Sequence, residues 1–120
     1  MRALALAAAL LLATGLPAEA SGWHREYATW FGPGLWNNRT ACGQRLTRRL
    51  AGVAHRTLAC GTIIAIRYKG YRVRVPIVDR GPYGVPGLDW DLTAYTSCWQ
   101  LTGNRPKDCS SKWVWFRVLR

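Results

Sequence analysis

Alternating apolar and polar residues mark two neighbouring strands in the middle of the chain. Residues 71–78 place Tyr71, Val73, Val75 and Ile77 on alternate positions, with arginines between them. This period of two predicts a strand with one buried face, because successive side chains of a strand point to opposite sides. Residues 62–68 form a second apolar strand, and the Lys69-Gly70 pair between the two strands predicts a tight hairpin.

Three further segments have the composition of strands. Residues 26–31 (EYATWF) are aromatic and β-branched, residues 51–55 are a short apolar run, and residues 113–119 alternate tryptophan and arginine with Val114, Phe116 and Val118. We expect the last strand to pair with an early one, because a free edge of this composition would invite aggregation. Residues 35–50 have no clear periodicity and predict a long loop.

One segment has helical spacing. Leu92, Tyr95 and Trp99 recur at i, i+3 and i+7, which predicts a helix of about three turns with Asp91 or Thr93 as its N-cap. Many short strands, one short helix and frequent glycine turns predict an all-β fold, either a small barrel or a sandwich.

The first residues have the features of a secretory signal peptide. Met1-Arg2 is followed by an apolar run over residues 3–16 and by Ala18-Glu19-Ala20, which fits a cleavage site after Ala20. The apolar run is shorter than the roughly 20 residues of a membrane span. We therefore expect a signal peptide over residues 1–20, one domain over residues 21–120, and a secreted protein.

Four cysteines, at positions 42, 60, 98 and 109, agree with an oxidising destination and two disulfides. Three pairings can be formed. We favour Cys42 with Cys60 and Cys98 with Cys109, because each bridge then closes a local loop. No C-x-x-C motif is present and His24 and His55 lack ligand spacing to the cysteines, so we predict no metal site.

Seventeen lysines and arginines against six acids give a formal net charge of +11. In a small secreted domain this charge favours contact with a polyanion, such as a cell wall with anionic polymers, an anionic glycan, a membrane surface or nucleic acid. The alternative is that the charge serves solubility alone. The charge and two histidines also leave open a secreted nuclease or nucleic-acid binder.

Residues 76–93 concentrate the acidic side chains that could do chemistry. The acids outside the signal peptide are Glu26, Asp79, Asp89, Asp91 and Asp108. Three of these five lie in this stretch, next to turns at Gly81-Pro82 and Pro86-Gly87. If the protein uses a carboxylate for acid or base catalysis, the candidates come from this short set.

Four blocks of residues resemble the double-psi β-barrel domain of the rare lipoprotein A family. These are ATWFGPGLWNNRTACG over residues 28–43, VAHRTL over residues 53–58, DRGPY over residues 79–83 and DLT over residues 91–93. A lone DRGP motif is a weak signal, but the four blocks keep their order and spacing over nearly the whole mature chain. The resemblance implies a six-stranded double-psi β-barrel, a fold shared with the first domain of expansins.

The resemblance also implies a function. Family members of this type are lytic transglycosylases that cleave peptidoglycan glycan strands and need the residues that correspond to Asp79 and His55. Expansin-like members emphasise the aspartate that corresponds to Asp91, and secreted members place a disulfide at Cys42 and Cys60. One departure concerns Gln44, which stands where the transglycosylases have a glutamate, since an amide cannot donate a labile proton.

We therefore predict a secreted, monomeric protein that acts on peptidoglycan without a cofactor. Asp79 is the expected acid/base, with His55 and Asp91 in support, and the expected substrate-binding residues are Trp36, Gln44, Arg80, Tyr83 and Trp90. The basic surface would hold anionic wall polymers, and no nucleic acid is expected as a partner. The competing hypotheses are a turn-capping role for Asp79, a helix N-cap role for Asp91, and a non-catalytic, expansin-like wall-binding module. Asp89 has no motif match and is expected at the rim.

Overall fold

A computed structural model of the chain describes residues 22–104 and 108–119. It contains six strands, which are β1 His24–Phe31, β2 Val53–Ala54, β3 Ile63–Tyr68, β4 Tyr71–Asp79, β5 Trp90–Thr93 and β6 Lys112–Val118. A π-helical turn, Tyr95–Trp99, continues into a 3₁₀ turn, Gln100–Thr102. The predicted strands are confirmed, with ends that differ by one or two residues.

The six strands form a closed barrel in the order β1-β5-β2-β4-β3-β6, with β6 returning to β1. The pairs β1–β5 and β2–β4 are parallel, and the other four pairs are antiparallel. The predicted all-β barrel is therefore confirmed against the sandwich. The closing strand β6 pairs with β1 and β3, as the need to protect its edge predicted.

Alternation along the strands fills the barrel interior. The core residues include Ile64, Ile66, Val75, Ile77, Leu92, Val114 and Phe116, all almost fully buried. On β4 the outward residues Arg72 and Arg74 are exposed, and the outward residues of β6 include the exposed Trp113 and Trp115. The hairpin at Lys69-Gly70 joins β3 to β4, with both residues in the left-handed region of the backbone.

The predicted three-turn helix from Asp91 is wrong at its start. Residues 90–93 are strand β5, which hydrogen-bonds on both sides, to β1 and to β2. Trp90 and Leu92 point into the core with the period of a strand, and this pairing overrides a weak helical spacing. The helical segment spans only residues 95–102 and has Ala94 at its N-cap, although the Thr93 hydroxyl accepts a hydrogen bond from the Thr96 amide.

Both predicted disulfides are confirmed, Cys42–Cys60 and Cys98–Cys109. A buried lysine, Lys112, supports the second loop from the barrel side. Its ammonium donates to the backbone oxygen and the hydroxyl of Ser97 and to the backbone oxygen of Asp108. Burial lowers the pKa of the Lys112 ammonium, and the Asp108 charge partly opposes this shift.

Within the described residues, no helix has the length and apolar character needed to cross a membrane. The predicted signal peptide, residues 1–20, lies outside the described part of the chain.

Candidate functional site

The site is built on one row of residues that crosses four neighbouring strands. In the strand register, Thr29 on β1 pairs with Asp91 on β5, Asp91 pairs with Ala54 on β2, and Ala54 pairs with Asp79 on β4. Residues paired in register project from the same face of a sheet. The two aspartates therefore flank a buried alanine, with main chains two strand spacings apart, roughly 10 Å.

A β-bulge brings Asp79 into this row. Val53 pairs with Ile77 but the next residue, Ala54, pairs with Asp79, so Val78 is an extra residue in β4. Without this residue the side chain of Asp79 would point to the other face, since a shift of one position reverses every side chain. The bulge is thus the backbone feature that places both carboxylates on one surface.

Backbone amides from two directions orient the Asp79 carboxylate. Its Oδ1 accepts hydrogen bonds from the amide of Ala41, at 2.8 Å, and from the amide of Arg80, at 2.9 Å. The Cys42–Cys60 disulfide and a hydrogen bond from the Cys42 amide to the Val78 carbonyl hold Ala41 against the end of β4. The cysteine loop therefore fixes the orientation of Asp79.

Asp91 is the carboxyl group whose protonation the fold changes most clearly. Its pKa is raised from 3.8 to about 6, mainly by burial, with a smaller rise from the Asp79 charge, while a hydrogen bond from the Thr29 hydroxyl at 2.9 Å opposes the rise. Asp91 thus holds a proton over a fraction of molecules near neutrality. A carboxyl group in this state can both donate a proton and take one back.

Gln44 lies at the end of the loop that reaches Asp79. Its side-chain oxygen accepts a hydrogen bond from the Thr40 hydroxyl at 3.0 Å, and its backbone oxygen accepts one from the Thr40 amide at 2.7 Å. These contacts close the turn that carries Ala41 and Cys42. In this structure Gln44 therefore shapes the loop whose amide binds Asp79.

His55 follows β2 and is locked in one tautomer. Its Nδ1 accepts hydrogen bonds from the amides of Thr57 and Leu58, both at 3.1 Å, so the proton of the neutral ring sits on Nε2. Burial lowers the pKa of the imidazole, the Arg56 and Arg80 charges lower it as well, and the Asp89 charge opposes them. A ring held this way is a neutral hydrogen-bond donor and a poor general base.

The link between His55 and Asp79 runs through the backbone. The His55 amide donates to the Asp79 carbonyl at 3.2 Å, while the imidazole packs at 4.7 Å against the ring of Trp90. Because His55 follows Ala54 in the strand direction, its side chain turns toward the Trp90 side. Any residue except proline could make this main-chain contact, so the predicted role of the His55 side chain stays a prediction.

A second set of carboxyl groups lies on that side, around Arg56. The Arg56 guanidinium forms an ion pair with Asp89 and donates to the carbonyl oxygens of Pro82 and Leu88, both at 2.8 Å. It therefore braces the loop between β4 and β5. Burial raises the pKa of Glu26, and the neighbouring Asp89 carboxylate adds to the rise.

Two of the predicted substrate-binding residues, Arg80 and Trp90, are engaged in contacts within the protein. The Arg80 guanidinium donates to the carbonyl oxygens of His55 and Leu58 at 3.3 and 2.8 Å, so it holds the loop after β2. Trp90 is only 5% exposed and stacks on Phe116 with a centroid distance of 4.3 Å. The prediction that Trp90 stacks on a sugar from an open groove therefore conflicts with its place in the core, which it occupies because it is an inward residue of β5.

Tyr83 is the most exposed of the predicted binding residues, at 66%. It lines a shallow cavity of about 360 Å³ with Arg56 and residues 84–87 of the loop between β4 and β5. The cavity lies on the loop that Arg56 braces. Tyr83 can thus offer an aromatic face to a ligand that runs along this loop.

Trp36 lines a larger cavity of about 580 Å³, which begins where β1 and β5 end. The walls combine four aromatic residues with two arginines and the second disulfide, and include Trp30, Trp36, Arg48, Arg49, Tyr95 and Trp99. The Arg48 guanidinium lies over the Trp36 ring at 4.7 Å. Gly32 has no room for a side chain here, since a Cβ would lie 2.6 Å from Trp36. A cavity of this size and lining is typical of a small-ligand site.

The sequence did not predict two groups that bind the aspartates, the Thr29 hydroxyl and the Ala41 amide. Thr29 lies in a block with a family resemblance, but its contact with Asp91 depends on the parallel pairing of β1 and β5. The Ala41 amide carries no side-chain signal at all. No group of three or more His, Cys, Asp or Glu side chains within residues 22–104 and 108–119 could hold a metal ion.

Comparison with known families identifies a relationship over most of the barrel. A family model described as lytic transglycolase, of the double-psi β-barrel type, matches residues 25–102. The matched region covers five of the six strands, except for His24 at the start of β1, and contains every residue of the row.

Two curated proteins, both named probable endolytic peptidoglycan transglycosylase RlpA, are similar in sequence. The protein from Aquifex aeolicus is 39% identical over 71 residues, which are 58% of this chain and 31% of that protein. The protein from Synechocystis is 42% identical over 69 residues, which are 56% of this chain and 21% of that protein. The matches thus span less than a third of the length of either relative.

Solved structures support the fold. A Clavibacter michiganensis expansin, determined as a mutant in complex with cellohexaose, aligns with a TM-score of 0.58 at 18% identity, over 82% of this chain and 51% of that one. A Streptomyces papain inhibitor aligns with a TM-score of 0.60 at 18% identity, over 82% of this chain and 96% of that one. At this identity the likeness concerns the barrel alone.

Proposed function

Because the chain belongs to the lytic transglycolase family of double-psi β-barrels, we propose that it cleaves peptidoglycan glycan strands and leaves 1,6-anhydromuramic ends. The observation that carries this proposal is the row in which Asp79 and Asp91 flank Ala54, with the pKa of Asp91 raised to about 6. The curated relatives, named as peptidoglycan transglycosylases, give the substrate class. The two disulfides fit an extracytoplasmic place of action.

The chemistry needs one group that gives a proton and then takes one. Protonated Asp91 donates to the glycosidic oxygen as the bond from the anomeric carbon to that oxygen breaks. The positive charge that develops on the anomeric carbon faces the Asp79 carboxylate, which its two amide contacts hold in place. Ionised Asp91 then accepts the proton of the C6 hydroxyl, whose oxygen bonds to the anomeric carbon. No water is consumed, and Asp91 ends the cycle protonated.

This assignment reverses the order of the aspartates that the motifs favour. The motifs rank Asp79 first as the acid/base, but the burial of Asp91 and the nearby Asp79 charge make Asp91 the better proton carrier. Asp79 takes the role of a fixed negative charge. The His55 main chain binds that of Asp79, and the imidazole would contribute its Nε2–H as a hydrogen-bond donor.

The aromatic cavity provides a place for the sugars beyond the cleaved bond. Trp30 follows Thr29 on β1 and Ala94 follows the end of β5, so the same two strands supply part of the cavity wall and part of the row. We propose that Trp36 and its aromatic neighbours bind a sugar ring, and that Arg48 and Arg49 attract a carboxylate of the wall polymer. Tyr83, on the loop between β4 and β5, would contact the glycan strand from that loop.

Four purified proteins test the enzyme hypothesis on isolated wall sacculi, with mass spectrometry of the released fragments. Asp108→Asn is the control, because the Asp108 carboxylate lies on an exposed loop and accepts a hydrogen bond from Ser110. Wild type and this control are expected to release anhydro ends equally. Asp91→Asn and Asp79→Asn are expected to lose at least about a hundredfold of this activity, within the range of general acid–base catalysis. Full activity in a folded Asp91→Asn would remove Asp91 from the mechanism.

A non-catalytic, expansin-like wall-binding module is the second candidate. Gln44 favours it, because the family's glutamate position here holds an amide whose oxygen is engaged by Thr40. The two candidates differ in one result. A wild-type protein that sediments with sacculi but releases no anhydro ends over the pH range 5 to 8 would leave the binding module as the function.

A further inference from the structure

The outer face of the barrel on the side of β6 carries exposed aromatic rings interleaved with arginines. We call it the Trp–Arg face and define it by six residues on or next to β1, β3 and β6: Trp23, Arg25, Arg67, Trp113, Trp115 and Arg117. Trp113 is 52% exposed and Trp115 is 38% exposed. Exposed aromatic residues grouped in this way mark binding surfaces more often than isolated ones.

Contacts between the rings and the guanidinium groups organise this face. Arg25 lies over the ring of Trp113 at 4.9 Å, and Arg67 lies between the rings of Trp23, at 4.5 Å, and Trp115, at 5.6 Å. Tyr27, also exposed, packs against Trp113 with a centroid distance of 5.4 Å. The side chains are therefore pre-ordered, which reduces the entropy lost when a ligand binds.

The positive charge of the face continues onto the next strand. Arg25 pairs in register with Trp115, Trp115 with Arg67, and Arg67 with Arg72, so one row across four strands holds three arginines and a tryptophan. In a neighbouring row, Arg117 of β6 and Arg74 of β4 both pair in register with Ala65 of β3, so the two arginines flank this alanine. Glu26, the acid of β1, turns to the other side of that strand toward Asp89. The partner that complements this face is therefore anionic.

The position of the face separates it from the aspartate row. In the barrel order β1-β5-β2-β4-β3-β6, strand β6 lies three strands away from β2 in either direction. Strand β2 carries Ala54, the centre of the row, and β6 carries the exposed tryptophans. The exposed tryptophans of β6 and Ala54 at the centre of the row consequently lie on opposite sides of the barrel.

We propose that the Trp–Arg face is a second binding surface that anchors the protein on carboxylate-bearing glycan of the wall, away from the cleavage site. The aromatic rings would stack on the apolar faces of sugar rings, and the arginines would pair with carboxylates of lactyl groups or stem peptides. The choice of glycan rests on the proposed function and on the two disulfides, which fit a location where wall polymers are abundant.

Two double variants and one matched control test this surface. Trp113→Ser with Trp115→Ser removes the rings, and Arg25→Gln with Arg67→Gln removes the charges that contact them. Leu35→Ser with Lys69→Asn removes one exposed apolar residue and one exposed charge outside the six residues that define the face, and Asn tolerates the left-handed backbone at position 69. Thermal melts of all four proteins identify any variant that fails to fold, and the arginine pair keeps the test open if the tryptophan pair unfolds.

Binding is measured by co-sedimentation with sacculi at a fixed salt concentration, and cleavage is measured separately on short soluble glycan strands. We expect about a tenfold loss of sacculus binding in both double variants, none in the control, and unchanged cleavage of the short strands. Sacculus binding does not depend on catalysis, so this arm still reports if the wild type proves inactive. Unchanged binding in both folded variants, or equal loss in the control, would overturn the proposal.

Further arms distinguish other occupants. Sacculi stripped of phosphate polymers are expected to bind equally well, and loss of binding to them would assign the face to phosphate polymers. Tighter binding to single-stranded DNA than to sacculi, abolished by the same variants, would assign it to nucleic acid. Sedimentation velocity that shows a wild-type dimer, dissociated by the tryptophan substitutions, would assign it to a second copy of the chain.

Discussion

At the scale of single residues, the chemistry depends on where Asp91 is placed. Its neighbours on the row are a threonine hydroxyl and a buried alanine, and its carboxyl is mostly withdrawn from water. Asp79 has the opposite environment, with two amide donors on one oxygen. Two carboxyl groups with different surroundings can take different roles in one reaction, which is the basis of many two-carboxylate sites.

The raised pKa of Asp91 makes stability depend on pH in a defined direction. Because the folded pKa, about 6, lies above the unfolded value of 3.8, the contribution of this group is favourable below pH 4 and is lost as the pH rises through 6. We expect Asp91→Asn to be more stable than wild type at pH 7.5, by on the order of 1 kcal/mol after allowance for partial exposure, and equally stable at pH 4. Thermal melts at the two pH values measure this.

The same pKa predicts the pH dependence of the reaction. If protonated Asp91 is the acid, kcat/KM on short glycan strands falls about tenfold per pH unit above roughly 6. Asp108→Asn should follow the wild-type profile. A profile that stays flat between pH 6 and 8 in both proteins would mean that another group supplies the proton.

The tautomer of His55 leads to a prediction that separates its two nitrogens. Asn places an amide oxygen near the position of Nδ1, so His55→Asn keeps an acceptor for the Thr57 and Leu58 amides but loses the Nε2 donor. His55→Ala loses both. We expect His55→Ala to lower stability by about 1 to 3 kcal/mol and His55→Asn to lower it by less.

The activity of the same variants shows whether the Nε2–H donor of His55 takes part in the reaction. Reduced cleavage in a stable His55→Asn, with KM nearly unchanged, would show that Nε2–H acts in the transition state. His55→Gln, which places an amide nitrogen near Nε2, should recover part of the loss. Equal stability of the alanine and asparagine variants would contradict the hydrogen bonds at Nδ1.

At the scale of elements, the two disulfides support different parts of the molecule. Cys42–Cys60 holds the loop that delivers the Ala41 amide to Asp79, while Cys98–Cys109 closes the loop beside the aromatic cavity. Their sequence separations of 18 and 11 residues predict similar entropic contributions, about 3 kcal/mol each. The bridges should therefore differ in their effect on the Asp79 site more than in their effect on stability.

Removing each bridge with paired Cys→Ala substitutions tests this difference. We expect both double variants to melt at lower temperature, and only Cys42→Ala with Cys60→Ala to lose kcat on short strands at a temperature where both remain folded. The second pair serves as the matched control. Equal kcat in the two variants would mean that the loop keeps Ala41 against Asp79 without its bridge.

The strands were predictable from the sequence because alternation survives wherever one face is buried. The short strand β5 was not, since Leu92, Tyr95 and Trp99 fit a helical spacing while Trp90 and Leu92 fit a strand. Only the pairing of residues 90–93 with strands on both sides decides between the two patterns. The bulge at Val78 is likewise a property of the pairing of β2 with β4.

At the scale of the whole molecule, closure of the barrel assembles the site. Asp79 and Asp91 belong to strands that do not pair with each other, and β2, which is two residues long, brings them into one row. Motif resemblance could find Asp79, Asp91 and His55. It could not show that Trp90 is a core residue, that Arg80 binds carbonyl groups, or that Glu26 lies near Asp89. Those facts depend on which way each side chain points once the barrel closes.

The distribution of charge is also a property of the whole barrel. The five arginines of β1, β3, β4 and β6 on the outer surface come from distant parts of the chain, and only the strand order gathers them on one side. Ala54 of β2, the centre of the aspartate row, lies opposite β6. Under the two proposals, the protein would be held on the wall by one side while it cuts with the other, which agrees with its formal net charge of +11.

The most direct test of the account is digestion of sacculi in water enriched in ¹⁸O, with mass spectrometry of the new glycan ends. The wild type is expected to release 1,6-anhydromuramic ends without ¹⁸O, because the C6 hydroxyl of the substrate closes the ring and water does not react. Asp91→Asn is expected to release almost none. New reducing ends that carry ¹⁸O would show a hydrolase, and release of no ends by the folded wild type would contradict the proposed reaction.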